Sequence, residues 1–379
     1  MLKRTYRKYI SWLESRSQAI RVKKQWIGEW IEVLYGNDKT LIRDTKLTLQ
    51  EKREIQEYWK STYGKKIPLN WHKRYYGYSG KLDKQYFPEI LYTTKLEPLL
   101  NPDHISKVLQ DKSLIEFLYA KVLDESKDLV IPKTVCGCAN GYFYDENRCP
   151  MTEEAFREKL SCLDGDYVIK PTLGSSSGHD VELLIMEGGK CKNKDKDIEE
   201  IYQYYGKNFI IQEKIQQHKV YGALHPQSIN TIRVLSYRKE GEIKTAPIIM
   251  RIGRGEHHID GPHEGEGMYV AVSDDGVLGE RAVDFWSKHY KEHPDTKINF
   301  AGYQLPFMRK IISYARQLHT CLPNMGFVNW DFSVNENNEV VLIEANLCCG
   351  SVWLIQNVWG KGVFGEDTEY MLHLIKNKR

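Results

Sequence analysis

Two apolar segments near the C-terminus, at 326–334 and 339–343, place the strongest constraint on the fold, because a short run of Asn and Glu separates them. Turn-forming residues between two apolar segments predict a β-hairpin. Phe332, Val341 and Ile343 are of the types that fill the buried face of a sheet, so we expect both strands to lie in the core. A carboxylate in such a strand needs a partner, because an unpaired buried charge is costly.

This hairpin carries three oxygen-bearing side chains. Asp331 lies in its first strand, and Glu344 and Asn346 end its second strand two residues apart. Because side chains alternate between the faces of a strand, we expect Glu344 and Asn346 on the same face. Carboxylate and amide oxygens are ligands that Mg²⁺ prefers, so the pattern predicts a magnesium site. The alternative, a polar edge strand in solvent, fits poorly with the apolar residues around it.

The composition of the chain is that of an ordinary globular protein. Its 379 residues are enough for two or three domains. The 54 Lys and Arg residues nearly balance the 51 Asp and Glu residues, which argues against nucleic acid as the main partner. No apolar run reaches the roughly 18 residues needed to cross a bilayer, and charges interrupt residues 1–24 too often for a signal peptide. We therefore expect a cytoplasmic protein without a transmembrane segment.

Two groups of potential metal ligands have spacings that argue against metal binding. Eight cysteines in so long a chain predict reduced thiols, and the spacing within one group matches no zinc motif. That group comprises Cys136, Cys138, Cys149 and Cys162. A second group comprises His257, His258, Asp260, His263, Glu264 and Glu266. Its irregular spacing and its glycines favour a loop that contacts substrate.

Residues 1–95 are expected to form a helical region and a linker. Trp, Ile and Leu recur there at helical spacing, and Thr48 with Glu51 has the pattern of a capping box. The region also holds a basic set consisting of Arg4, Arg7, Lys8, Arg21, Lys23 and Lys24. This set fits a solvated helix face, which we favour, or an amphipathic arm that binds a membrane surface. Residues 63–92 are rich in Gly, Pro and aromatics and predict irregular structure, as a linker, a substrate-contacting loop or packing at an interface.

The middle of the chain predicts alternating helices and short strands. A helix at 101–124 would carry Lys112, and a strand at 166–171 would end at Lys170 because the proline after it stops the strand. The loop that follows holds Gly174, Ser175, Ser176 and Ser177. Its backbone N–H groups and hydroxyls suit phosphate oxygens. Further strands are expected at 131–135, 208–215 and 228–236, and further helices at 152–160 and 306–322.

The order of these pieces along the chain is itself informative. A lysine on a helix precedes a strand ending in Val-Ile-Lys-Pro, a Gly/Ser loop and a strand ending in Gln-Glu-Lys-Ile. A strand with Asn230 and Arg233 follows, and then an aspartate with Glu-x-Asn thirteen residues later. This series resembles the ATP-grasp superfamily, which includes D-alanine:D-alanine ligase. The resemblance implies an α+β fold in which two α+β subdomains clasp ATP behind a helical N-terminal region.

The resemblance also divides the chain. Residues 96–379 would form the ATP-grasp domain, with a leading subdomain at 96–165, a Gly/Ser-loop subdomain with the hinge at 166–220, and a metal-binding C-terminal subdomain at 221–379. Two stretches, Leu-His-Pro-Gln-Ser-Ile-Asn-Thr-Ile-Arg at 224–233 and Gly-Phe-Val-Asn-Trp-Asp at 326–331, are similar to sugar-transfer-associated ATP-grasp proteins. That bacterial group is associated with making or decorating surface polysaccharides.

Carried over by position, the resemblance assigns roles in nucleotide binding. Lys112 and Lys170 would hold the α- and β-phosphates of ATP. The loop residues Gly174, Ser175, Ser176 and Ser177 would cover the γ-phosphate. The hinge residues Glu213, Lys214 and Ile215 would contact adenine. Where many members have an acidic residue for the ribose shortly after the hinge, this chain has Gln216-Gln217-His218.

The remaining assignments concern the metal and the reaction. Asp331, Glu344 and Asn346 would bind Mg²⁺, and Arg233 and Arg251 would steady the transferred phosphoryl group or the substrate carboxylate. In the usual reaction of the superfamily, a carboxylate attacks the γ-phosphate to give an acyl phosphate, and an amine then displaces phosphate to form an amide.

The function implied is an ATP-dependent carboxylate-amine ligase that modifies a bacterial surface polysaccharide or its precursor, with polysaccharide biosynthesis proteins as candidate partners. One alternative is a phosphotransferase that acts on the hydroxyl of a sugar or small molecule. Another is a non-catalytic ATP-binding partner of a polysaccharide assembly complex.

Overall fold

The computed structural model describes residues 2–174, 180–194, 197–256, 267–348 and 350–377. In the first helix it describes the side chains of Trp12, Arg16 and the residues from Ala19 onward. Ser175, Ser176, Ser177 and the His- and acid-rich group within 257–266 lie outside the described residues. Within the described ranges, no helix is both long enough and apolar enough to cross a membrane.

Helices dominate the first hundred residues. They are α1 (Leu2–Tyr35), α2 (Lys39–Asp44), α3 (Leu49–Thr62), α4 (Asn70–Ser79), α5 (Glu89–Leu91), a π-helical turn (Tyr92–Leu96) and α6 (Glu97–Leu100). The predicted capping box of α3 is confirmed, since the Thr48 side chain accepts from the Glu51 N–H and the Glu51 side chain accepts from the Thr48 N–H. These two bonds satisfy backbone donors that the first turn of a helix leaves free.

Residues 63–92 are irregular only in part, at 63–69 and 80–88, and not in the aromatic stretch between them. They include α4, in which Trp71, Tyr75 and Tyr78 recur at helical spacing and are buried. Gly80 ends the helix in the left-handed conformation, with φ of 69°. The prediction of irregular structure was wrong for Asn70–Ser79, where the aromatic residues form one face of a helix and pack into the core, as the packing alternative implied.

The rest of the chain alternates strands and helices. The strands are β1 (Leu129–Val130), β2 (Thr134–Ala139), β3 (Tyr142–Asp145), β4 (Pro150–Met151), β5 (Gly165–Pro171), β6 (Glu182–Glu187), β7 (Lys190–Cys191), β8 (Asn208–Glu213), β9 (Thr231–Lys239), β10 (Glu242–Thr245), β11 (Ile248–Ile252), β12 (Met268–Val272), β13 (Leu278–Asp284), β14 (His289–Tyr290), β15 (Phe327–Val334) and β16 (Val340–Asn346). The helices are α7 (Asp103–Leu109), α8 (Ile115–Glu125), α9 (Glu153–Ser161), α10 (Ile198–Tyr205), α11 (Lys219–Gly222), α12 (Met308–Thr320), α13 (Trp353–Trp359) and α14 (Thr368–Asn377), with 3₁₀ turns at Lys112–Leu114 and Gly365–Asp367.

The described strands form two sheets. The larger has the order β1-β16-β15-β9-β11-β12-β13-β14, with β10 paired to β9, and the smaller has the order β4-β3-β2-β8-β5-β6-β7. The predicted C-terminal hairpin is confirmed, since β15 and β16 pair antiparallel up to Val334 opposite Val340. The other neighbour of β15 is β9, also antiparallel, so β15 lies inside the sheet with a strand on each side.

Both faces of the larger sheet are covered. On β9, Val234 belongs to the core that the sheet forms with α8 and α12, whereas Leu235 belongs to the core that it forms with the N-terminal helices. This alternation follows from the period of two along a strand. The smaller sheet packs against α9 and α10 and has a separate core. The N-terminal helices and the larger sheet therefore share one core.

The helix predicted at 101–124 is divided into α7, a 3₁₀ turn and α8. Asp111 causes the break, because its side chain accepts a hydrogen bond from the Ser113 N–H and so caps a new turn. Asn101 does not cap α7. Its amide instead donates to the carbonyls of Phe327 and Leu347, at 2.7 Å each, and ties this segment to both strands of the hairpin.

Candidate functional site

The predicted magnesium ligands come together on the central hairpin. Asp331 on β15 lies directly opposite Glu344 on β16, and Asn346 lies opposite Asn329. The register shifts between Asp331 and Phe332, so a bulge lies next to the carboxylate. Two carboxylates and an amide thus share one end of the hairpin, as their spacing predicted.

Asp331 is buried and holds several partners. Arg233 on β9 donates to both carboxylate oxygens, from Nε at 2.8 Å and from Nη2 at 2.7 Å. Arg251 Nη1 lies 3.7 Å from Oδ2, and the Asn346 amide donates to the same oxygen at 3.3 Å. Burial by itself would raise the pKa of Asp331, but Arg233 and Arg251 outweigh burial and hold that pKa below its usual value.

Glu344 pairs with Lys112, whose Nζ lies 2.9 Å from Oε1. The lysine reaches this position because the 3₁₀ turn that carries it is fixed at two points. Asp111 caps the turn, and the Lys112 N–H donates to the carbonyl of Thr172, just beyond β5, at 3.0 Å. Lys112 is buried, whereas the Glu344 side chain is 24% exposed, so the carboxylate retains access to solvent.

Lys170, near the end of β5, is a buried cation. Within the described residues its ammonium has no ion pair or hydrogen bond. Burial is the main cause that lowers the pKa of Lys170 to about 8; the nearby Lys112 contributes to the shift and Glu344 opposes it. An ammonium in this position favours an anion beside it, because a buried charge without a partner is unstable.

The charges in this cluster do not cancel. Four cations, Lys112, Lys170, Arg233 and Arg251, surround the two carboxylates of Asp331 and Glu344. The cluster therefore carries a formal excess of two positive charges.

The predicted hinge follows β8. Glu213 and Lys214 both make ion pairs, with Lys133 at 2.6 Å and with Asp166 at 3.0 Å. A cavity of about 310 Å³ lies beside Lys214 and Ile215. Its other lining residues include Val168, Leu183, Gln227 and Ile229, to which the sequence analysis assigned no role in a site. The continuous apolar runs at 167–169 in β5 and 183–186 in β6 were the available signal for Val168 and Leu183.

Gln217 and His218, just after the hinge, are already hydrogen-bonded to other parts of the protein. The Gln217 amide donates to the Asn230 carbonyl at 2.7 Å and to the Ser333 hydroxyl at 2.6 Å. The His218 N–H donates to the carbonyl of Val334 at 2.8 Å. Gln217 therefore connects the hinge to β9 and β15, and Gln216, which is exposed, is the remaining polar side chain of this segment beside the cavity.

Of the predicted phosphate loop, the structure describes Gly174. Its φ of 80° is in the left-handed region that favours glycine, and a Cβ built there would meet none of the described residues within 4 Å. The position therefore depends on glycine for its backbone conformation.

The donor set suits a hard divalent cation. Asp331, Glu344 and Asn346 offer carboxylate and amide oxygens without a thiolate or an imidazole, which is the ligand chemistry of Mg²⁺ rather than of zinc. The Asn346 NH₂ group donates to Asp331, so its carbonyl oxygen is directed away from that bond. These residues fit a magnesium site. Its two carboxylates, Asp331 and Glu344, are also paired with Arg233 and Lys112.

The chain is similar to solved structures of ligases. The VanG D-Ala:D-Ser ligase of Enterococcus faecalis aligns at a TM-score of 0.41 with 15% identity, covering 73% of this chain and 64% of that one. D-alanyl-alanine synthetase A of Vibrio cholerae O1 aligns at 0.38 with 11% identity, covering 71% and 64%. The chain thus spans just under two thirds of the length of these structures. A search of curated protein sequences found no significant match.

The sequence itself matches a protein family over most of its length. The family is described as sugar-transfer associated ATP-grasp, and the match covers residues 91–370. It includes Lys112, Lys170, the hinge and the whole C-terminal hairpin, and leaves out the first 90 residues. This chain therefore has the ATP-grasp fold, with a helical N-terminal region, and belongs to the sugar-transfer associated ATP-grasp family.

Proposed function

We propose that this protein is an ATP-dependent carboxylate-amine ligase that works through an acyl phosphate. The observation that carries the proposal is the buried excess of positive charge around Lys112 and Lys170, beside two carboxylates and an amide. The complex of Mg²⁺ with ATP has a net charge of about −2, opposite to the excess of the site.

In this proposal the nucleotide spans from the hinge to the hairpin. Lys170 and Lys112 bind the α- and β-phosphates, and the loop of Gly174, Ser175, Ser176 and Ser177 covers the γ-phosphate. The adenine ring enters the cavity beside Lys214 and Ile215, with Glu213 at the end of the hinge strand. An apolar slot with a few polar groups is typical of sites for flat heterocycles, and Val168 and Leu183 supply apolar walls.

Asp331, Glu344 and Asn346 hold magnesium. When bound, Mg²⁺ would neutralise negative charge on the phosphates and help to orient them. The chain's own contribution is to place the oxygen ligands on paired strands, whose backbone hydrogen bonds fix their positions. Arg233 and Arg251 then have two roles, since each contacts Asp331 and each carries donors for a phosphoryl or carboxylate oxygen.

The reaction needs no nucleophile from the protein. A substrate carboxylate oxygen attacks the γ-phosphorus, ADP leaves, and an acyl phosphate forms. A substrate amine then attacks the acyl carbon, phosphate leaves, and the amine loses a proton as the amide forms. Negative charge spreads over the phosphoryl oxygens in the first step, and Lys112, Lys170, Arg233 and Arg251 stabilise it.

The substrate class proposed is a bacterial surface polysaccharide or its precursor that carries a carboxylate, with an amine as co-substrate. The description of the family as sugar-transfer associated supports this choice. The proposal includes a cytoplasmic site of action, where ATP is made available, and polysaccharide biosynthesis proteins as partners.

Product analysis tests the proposal. The protein is incubated with Mg²⁺ and ATP against amino acids, amino sugars and uronic acids, alone and in pairs, and ADP and free phosphate are quantified. A ligase yields equal amounts of ADP and phosphate with a carboxylate and an amine present together. ADP with a phosphorylated acceptor would identify a phosphotransferase instead, and nucleotide binding without turnover on any pair would indicate a non-catalytic partner.

Two variants tie any turnover to this site. Asp331→Asn should abolish ADP release, because it removes a metal-ligating charge while keeping the side-chain shape. Asp275→Asn is the matched control, since that carboxylate forms an exposed pair with Arg309. Full activity in the Asp331 variant would rule out the assignment.

A further inference from the structure

The N-terminal helix α1 has an apolar face that the rest of the described chain does not cover. Ile20, Ile27, Ile31 and Leu34 are between 41% and 58% exposed. From Ile20 to Leu34 their spacing of seven, four and three residues places them on one side of a helix. We call these four residues the outer face of α1.

The helix is not simply detached from the protein. Its opposite side is packed: Val33 is buried, Arg21 forms an ion pair with Asp103, and Glu29 accepts a hydrogen bond from Thr93 at 3.4 Å. Trp30 packs edge-to-face on Trp71 with ring centroids 5.1 Å apart. The docked side fixes the orientation of α1, so its outer face is directed away from the core.

Basic side chains accompany this face. Arg16 is exposed one turn before Ile20, and Lys23 and Lys24 are exposed between Ile20 and Ile27. On a helical wheel the two lysines lie on either side of the Ile20–Ile27 line, from which long side chains can extend past an apolar surface. Glu32 projects from a different side of the helix.

The charge of the whole chain is concentrated at the same end. Residues 1–24 contain eight Lys and Arg and one Glu, a formal charge of +7, whereas the whole chain has +3. The remaining 355 residues therefore carry a net charge of −4. An asymmetry of this size indicates a polyanionic partner for the N-terminal segment.

We propose that the outer face of α1 binds the surface of an anionic phospholipid bilayer, with the helix lying in the plane of the membrane. Apolar side chains with Lys and Arg beside them suit the boundary between headgroups and acyl chains. The outer face extends over about 21 Å of helix. This inference is independent of the reaction proposed for the site.

The composition of the face favours a bilayer over a second copy of the chain. A helix-helix seam needs apolar residues at two positions per heptad, and Lys23 and Lys24 occupy the stretch between Ile20 and Ile27. Burying two ammonium groups in such a seam would be costly, whereas at a membrane surface they remain hydrated and face lipid phosphates.

Vesicle co-sedimentation of the full chain tests this. Vesicles of phosphatidylcholine alone are compared with vesicles containing phosphatidylglycerol as about a third of the lipid, at low and high salt. We expect sedimentation with the anionic vesicles, weaker binding at high salt, and little with phosphatidylcholine alone. A protein that stays in the supernatant with anionic vesicles at low salt would overturn the proposal.

Paired variants identify the surface. Ile27→Glu with Ile31→Glu, and separately Lys23→Glu with Lys24→Glu, should each lower the partition coefficient about tenfold or more. Leu49→Glu with Tyr142→Glu is the matched control, since both residues are more than 70% exposed and lie outside α1. Circular dichroism and thermal melting establish that each variant is folded. Unchanged partitioning in both α1 variants, or a dimer in solution that the Ile27/Ile31 variant dissociates, would refute membrane binding by this face.

Discussion

At the scale of single residues, Lys170 is the group whose chemistry depends most on its surroundings. Its pKa of about 8 lies below the ordinary value for lysine, and burial is the main cause. Bound phosphate favours the protonated ammonium. Above about pH 8, Lys170 is largely neutral in the free protein, so nucleotide binding must be coupled to its protonation, and this coupling weakens binding.

We expect the affinity for ATP to be nearly constant below pH 8 and to fall above it, by up to about tenfold per pH unit. Isothermal titration calorimetry between pH 7 and 10 measures the profile. Lys170→Arg should flatten it, because a guanidinium stays charged over this range. Lys190→Met, an exposed lysine in the same sheet, should leave the profile unchanged. A flat profile in the unmodified protein would mean that Lys170 does not contact the phosphates.

The residues of the candidate site illustrate what spacing along a chain can predict. Glu344 and Asn346 are two residues apart on one strand, so their common face followed from local geometry. The pairing of Lys112 with Glu344 depends on a contact between distant segments, and so does the bidentate contact of Arg233 with Asp331. Spacing carries no information about such contacts, and for these residues the family resemblance supplied roles but no partners.

At the scale of elements, the short turn that carries Lys112 positions one cation of the site. The Asp111 side chain accepts from the Ser113 N–H at 2.9 Å and from its hydroxyl at 2.7 Å. Asp111→Ala removes both bonds and should weaken ATP binding about fivefold, in line with the roughly 1 kcal/mol that a helix cap contributes. Calorimetry on the folded variant measures this.

Thr152→Ala provides the comparison for that variant. Thr152 caps α9 by accepting from the Ala155 N–H at 3.2 Å, so its loss should lower stability by a similar amount. Its affinity for ATP should stay the same, because α9 belongs to the core of the smaller sheet. Equal losses of affinity in the two variants would point to general destabilisation instead of a displaced Lys112.

Elements were predictable where local chemistry decided them. The capping box of α3 and the turn between β15 and β16 each depend on residues that are close together in the sequence. The break at Asp111 was missed because the apolar spacing continues through it, and only the bond from Lys112 to Thr172 makes the break useful. In α4 the glycines suggested a loop, but burial of Trp71 and Tyr75 in the tertiary structure outweighed that tendency.

At the scale of the whole molecule, the N-terminal region is part of the same core as the larger sheet. Trp59, Phe87 and Tyr92 belong to one buried cluster with Phe327 on β15 and Phe364 near the C-terminus. The family match begins at residue 91, yet this cluster joins residues before that position to residues after it.

A chain that begins at residue 96 should therefore fail to fold, because it would expose the apolar side of the sheet that the N-terminal helices cover. A chain that begins at residue 20 should melt within about 2 °C of the full protein, because it keeps every one of these core residues. Gel filtration and thermal melting by circular dichroism compare the two. A monomeric, cooperatively melting product from residue 96 onward would show that the helices are an independent addition.

The two ion pairs of the candidate site have a consequence for the order of binding. Asp331 already holds Arg233, and Glu344 already holds Lys112. A divalent cation arriving alone competes with these side chains for the carboxylates, and a triphosphate arriving alone competes with the carboxylates for the same side chains. When both bind, the cation takes the carboxylates and frees Arg233 and Lys112 for the phosphates, and the phosphates take Arg233 and Lys112 and free the carboxylates for the cation. Metal and nucleotide should therefore bind cooperatively, and the factor by which either one raises the affinity of the other must be the same in both directions.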